Sequence, residues 1–192
     1  MFDILITNMI RKNLYFSPDR KINASYFDGE VIIREIFSES DSNDQEVYFV
    51  EFINGALTTV HYHESEQFLI PLSGNGVIGE FTLKPSSTLT DLKWENFSVR
   101  SLMVGEIVLI RPHSLHIHGA LPGQNFSHIA IRKMFEQKLE ENSLVSSRTQ
   151  TVWAFDMIQK LSNTKESSVI LDQLNRVSNK INENILSWLK SK

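Results

Sequence analysis

The chain has no cysteine. Disulfides, thiolate metal sites and cysteine nucleophiles are excluded together, so any metal site must use nitrogen and oxygen ligands. Positive charge is not in excess either: 19 Lys and Arg stand against 23 Asp and Glu, a formal net charge of −4. A nucleic-acid footprint needs a basic face, so no nucleic-acid partner is expected. No apolar run is long enough to cross a bilayer. The nearest approach, Met1-Phe-Asp-Ile-Leu-Ile-Thr-Asn-Met-Ile10, has no basic leader and is interrupted by Asp3. The expectation is a cytoplasmic protein with no membrane partner. Internal repeats and low-complexity tracts are also missing. What remains is 192 residues, 41% hydrophobic and 22% charged. That is an ordinary soluble composition, long enough for one domain with a real core.

Turn residues cut most of the chain into short β-prone runs. Residues 31–37, 46–53, 57–63, 67–72, 77–83, 97–103, 107–111, 115–118 and 127–132 all read as strands. Roughly nine such strands without helical periodicity between them predict an all-β fold, a barrel or double-sheet jelly roll. Residues 84–96 form a longer polar insertion, a lid or a hairpin loop. After Lys133 the pattern changes. Residues 134–142 are charged and helix-prone. Val152, Phe155, Ile158 and Leu161 lie at helical spacing. Ile170, Leu174, Val177, Ile181, Ile185 and Trp188 then make one apolar helix face. The expected division is a barrel over 1–133 and a helical C-terminal extension over 134–192, packed on the barrel or on a second copy.

The six histidines are crowded: His61, His63, His113, His116, His118 and His128 all lie between positions 61 and 128 of the 192. His61 and His63 end a β-branched run and share one face of a strand, because strand side chains alternate. With an amide a few residues on, and imidazoles from a neighbouring strand, one barrel wall can present three nitrogens and one oxygen. Imidazole suits Mn, Fe, Co, Ni, Cu and Zn alike, so ligand type does not choose the metal. His113 reads as an exposed loop residue.

These patches resemble the two motifs of the cupin superfamily. The first runs Gly55, five residues, His61-x-His63, three residues, Gln67, six residues, Gly74, with Gln where Glu is usual. In the second, Gly105 and His116 have the right separation, but Arg111 and His113 replace the usual Pro and Gly. A narrower likeness is to small single-domain bacterial cupins with Gln in the first motif. They include manganese-dependent hydroxynitrile lyases and carboxymuconolactone-decarboxylase-like members. It rests on Gln67, on His116-Ile-His118-Gly-Ala-Leu-Pro122 and on Ser127-His128-Ile-Ala-Ile131.

The resemblance implies a single cupin jelly-roll barrel, covering about residues 45 to 133. It implies one divalent transition metal (Mn, Fe, Ni or Zn) on His61, His63, Gln67 and His116. His128 matches a proton-transfer base, with a pKa expected near neutrality, and His118 a second histidine in or near the pocket. A homodimer fits the family habit. The expected function is Lewis-acid and proton-transfer catalysis on a small organic molecule, lyase- or isomerase-like. The alternatives are an Fe(II)-dependent dioxygenase and a non-catalytic sensor of a small ligand or sugar. All four expected ligands precede Lys133, so the tail is expected to leave the metal site alone.

Overall fold

A computed structural model describes residues 9–82, 96–140, 143–154, 156, 181 and 183–191. The strands in chain order are β1 (Phe27–Asp28), β2 (Val31–Phe37), β3 (Gln45–Phe52), β4 (Leu57–Thr58), β5 (His61–His63), β6 (Gln67–Gly74) and β7 (Gly76–Phe81). Then come β8 (Phe97–Leu102), β9 (Val108–Ile110), β10 (His116–Ala120), β11 (Phe126–Lys133), β12 (Phe135–Glu140), β13 (Ser143–Arg148) and β14 (Thr151–Trp153). Every run expected to be a strand is one, within a few residues. The run 57–63 is broken at Thr59-Val60 into β4 and β5, where Thr59 N–H turns away to donate to Tyr26 O.

Two antiparallel sheets curl around a shared interior. One has the order β2-β3-β11-β6-β9. The other runs β1-β4-β10-β5-β14, with β7 along the far edge of β10 and β8 beyond it. The chain crosses between sheets at tight turns that need glycine. Gly55 has φ +85°, and a Cβ there would stand 3.0 Å from the Gly123 nitrogen. Gly74 has φ +74°, and a Cβ would lie 2.0 Å from the Asn125 carbonyl oxygen. Both motif glycines are therefore demanded by backbone shape.

Alternation along the strands sorts the core into two layers. Val50, Phe52, Leu69, Ala120, Phe126 and Ala130 pack between the sheets. Ile117, between His116 and His118, belongs to a second cluster with Leu57, Val60, Val77 and Phe81. A helical segment spanning 183–190 lies on that layer: Ile181 and Ile185 are buried in it, and Trp188 and Leu189 pack against it. Each fully buried isoleucine stabilises by roughly 1.5–3 kcal/mol. The rest of the expected stripe, Ile170, Leu174 and Val177, lies outside the described residues, as do residues 84–95 of the polar insertion.

Residues 135–140 correct the helix expectation made for 134–142. β12 and β13 form a hairpin, with Leu139 opposite Leu144 and Phe135 opposite Arg148. Phe135, Gln137 and Leu139 also alternate with charged residues, and non-local pairing decided between the two periods. Residues 151–153 are corrected as well. They form β14, at the sheet edge beside β5, before the chain turns helical at Ala154.

Candidate metal centre

β5 turns His61 and His63 to one face and Tyr62 to the other; β10 does the same with His116 and His118 around Ile117, whose side chain joins the second core layer. His61 and His116 are directly opposed across the strand pair. Gln67 opens β6 and His128 lies on β11; both side chains are buried. All but His116 line a cavity of about 470 Å³, whose walls also include Glu46, Tyr48, Phe52, Arg132, Thr151 and Trp153. His113 is exposed in the left-handed region (φ 63°), as a loop residue should be.

One ring nitrogen each from His61, His116 and His118 lies within 4.8 Å of the other two. Among the described His, Asp and Glu side chains, these form the group able to hold a metal ion. The His63 ring is beside them, 5.0 Å from His61 and 5.4 Å from His116 between centroids. His118, expected as a pocket residue, thus joins His61 and His116 in this trio, with His63 beside it.

Hydrogen bonds orient the rings. His61 Nδ1 lies 2.9 Å from Thr59 O, and His116 Nδ1 lies 2.8 Å from Ser114 O. A carbonyl can only accept, so each Nδ1 carries the proton and each Nε2 keeps a lone pair. His63 Nδ1 lies 3.0 Å from Thr151 Oγ1. His63 Nε2, His116 Nε2, Gln67 Oε1, His118 Nδ1 and both nitrogens of His128 are buried without a protein partner. Such groups are costly unless something satisfies them.

Burial keeps the imidazoles neutral. His61, His63 and His118 are held well below the usual histidine range, first by desolvation and then by neighbouring imidazoles. The Arg132 guanidinium adds to this at His63. Burial takes His116 and His128 down to about 4. For His128 this corrects the expected near-neutral pKa, because its ring lies against Phe52 and Phe126 rather than water. Neutral imidazoles with bare nitrogens, plus an unpaired amide oxygen, are a donor set suited to a divalent transition metal.

Sequence reasoning missed the frame around these rings. Arg132 Nε donates to Glu46 Oε1 at 2.6 Å, and its Nη2 makes a second, closer contact there. Tyr48 OH donates to Glu46 Oε2 at 2.7 Å. Trp153 lies over His61, with ring centroids 4.4 Å apart. Thr151-Val152-Trp153 does carry a β-prone signal, but three residues could not outweigh the helical spacing that overlaps them.

No protein-family model matches the chain, and no curated protein sequence does. Solved structures do resemble it. A cupin-like protein from Thermotoga maritima is 29% identical, with a TM-score of 0.48 over 61% of this chain and 78% of that one. The polyketide cyclase RemF from Streptomyces resistomycificus is 15% identical, with a TM-score of 0.52 over 73% of this chain and 84% of that one. Oxalate decarboxylase from Lactobacillus farciminis, as a formate complex, is 13% identical, with a TM-score of 0.54. It overlaps 87% of this chain, which spans 41% of that longer protein. Among the described residues no helix is long and apolar enough to cross a membrane. The two curled antiparallel sheets, followed by a C-terminal helix, are those of a single cupin jelly-roll barrel.

Proposed function

We propose that the protein is a metal-dependent cupin enzyme acting on a small organic molecule by Lewis-acid and proton-transfer chemistry, as a lyase or isomerase. The observation that carries this reading is the set of buried, unpaired donor atoms in the histidine cluster: His63 Nε2, Gln67 Oε1, His116 Nε2, His118 Nδ1 and both nitrogens of His128. A purely structural cluster would have its polar atoms paired. The ion would be held by His61 and His116, joined by His63, Gln67 and His118. A divalent transition metal bound there supplies Lewis acidity toward a substrate oxygen.

The chain's own residues do the rest. Gln67 contributes a neutral amide where a carboxylate is usual, which leaves the site one unit more positive and favours an anionic oxygen. His128, neutral at pH 7, accepts the substrate proton on a ring nitrogen. Phe52 and Phe126 flank it and exclude water. The run from His116 to Pro122 and the Gln at position 67 favour the hydroxynitrile-lyase-like branch of the fold.

Elemental analysis of protein purified without added metal tests the reading. One transition metal per chain is expected in the parent and little in His61→Ala. Full retention in His61→Ala would sink the site. Consumption of O2 by the iron-loaded protein would replace the lyase reading with an oxygenase.

A further inference from the structure

The two histidines of β5 are backed by a strand from outside the region that carries both histidine motifs. β14 runs antiparallel to β5, with Thr151 opposite His63 and Trp153 opposite His61. Directly opposed residues share a face and touch. Thr151 Oγ1 stands 3.0 Å from His63 Nδ1 and accepts from Arg132 Nη1 at 2.5 Å. Arg132 is itself locked on Glu46. A hydroxyl oxygen has two lone pairs. Arg132 occupies one, and its Nη1 also lies 3.3 Å from His63 Nδ1, so the hydroxyl and the guanidinium together hold the His63 ring from behind. Trp153 lies over His61 with centroids 4.4 Å apart and planes 30° from parallel. Tyr26 stacks on Trp153 at 4.4 Å and 4°, and its hydroxyl donates to Asp156 Oδ2 at 2.8 Å. An imidazole that ligates a cation shares its charge, and an indole face attracts positive charge. The stack therefore favours the loaded state of His61.

We infer that β14 completes the metal centre: Thr151 and Trp153 are positioning residues that fix the ring orientation of His63 and the ring plane of His61. The inference rests on the metal-centre reading above. It makes metal affinity depend on a strand beyond Lys133, where sequence alone expects no such role.

Cobalt(II) titration of the full-length protein tests it, read by visible d–d absorption and by tryptophan fluorescence, with melting of the metal-free protein as the control for folding. Thr151→Val should weaken cobalt binding about 10- to 100-fold, the range for losing an outer partner of a ligating histidine. Thr151→Ser, which keeps the hydroxyl, should restore it. Trp153→Leu should also weaken binding. Trp153→Phe should keep most of the affinity but lose the largest part of the cobalt quenching, since Trp94 and Trp188 remain. Unchanged affinity in both Thr151→Val and Trp153→Leu overturns the inference. So does a Thr151→Ser as weak as Thr151→Val, which would point to packing. Should Thr151→Val not fold, Thr151→Ala against Thr151→Ser decides the same point. A parent that takes up no cobalt would fail earlier, at the metal reading itself.

Discussion

At one end of the histidine cluster His61 and His116 each give their Nδ1 proton to a backbone carbonyl two residues earlier. At the other end His118 Nδ1 and both nitrogens of His128 have no partner and face Phe52. All four are buried to the same degree. The difference is in what the backbone supplies. A ring clamped through one nitrogen presents the other in a fixed direction, which is what a metal ligand needs. A ring with neither nitrogen engaged is free to exchange a proton with whatever enters, and it weakens the apo fold in doing so. His118 stands between the two kinds, 5.7 Å from His116 and 5.1 Å from His128 between ring centroids.

The largest expected effect separates the two ends by metal content. His116→Ala should lose nearly all bound metal, while His128→Leu should keep about one ion per chain. Equal loss in both, measured by elemental analysis, would erase the contrast.

Acid should act on the whole set. Each ring is neutral in the folded state and has its pKa depressed, to about 4 for His116 and His128. Above pH 6.5 the folded and unfolded chains bind the same protons at these sites. Between 6.5 and about 4 only the unfolded chain gains them, so metal-free stability falls with pH through that window. The slope is on the order of 1.4 kcal/mol per pH unit for each such ring. Urea unfolding of the metal-free protein at several pH values measures it. A flat profile there would mean the rings are not buried neutral.

A smaller effect follows for His128→Leu. Removing two buried, unpaired nitrogens should raise the unfolding free energy of the metal-free protein by about 1–3 kcal/mol, while abolishing turnover. Lower stability in the variant would show that His128 is a satisfied structural residue. The smallest change is at Gln67. Gln67→Glu should keep or slightly tighten metal binding, because a carboxylate adds charge beside the ion. Isothermal titration with manganese reads this, and loss of metal in the variant would remove Gln67 from the ligand set.

The strand pattern made much of this legible in advance. The β-branched run Val31–Phe37 was recovered as β2 residue for residue. Gly55 and Gly74 marked turns that do require glycine. The hairpin of β12 and β13 was not legible, because 134–142 carries a helical composition and only its partner across the turn makes it a strand. Arg132 and Glu46 were invisible as a pair because 86 residues separate them.

Sequence by itself determined which residues could meet: period-two alternation places His61 with His63 and His116 with His118 on inward faces, and that period is a local property of the backbone. Tertiary structure alone decided what those residues are. Which ring nitrogen is bare depends on a carbonyl, a hydroxyl or a phenyl ring arriving from elsewhere in the fold. How far each pKa falls depends on desolvation by the assembled barrel. Whether Thr151 and Trp153 belong to a helix or to the wall behind β5 depends on a strand pairing 88 residues apart in sequence. Long-range pairing and burial have no local signature, so they appear only once the sheets have closed.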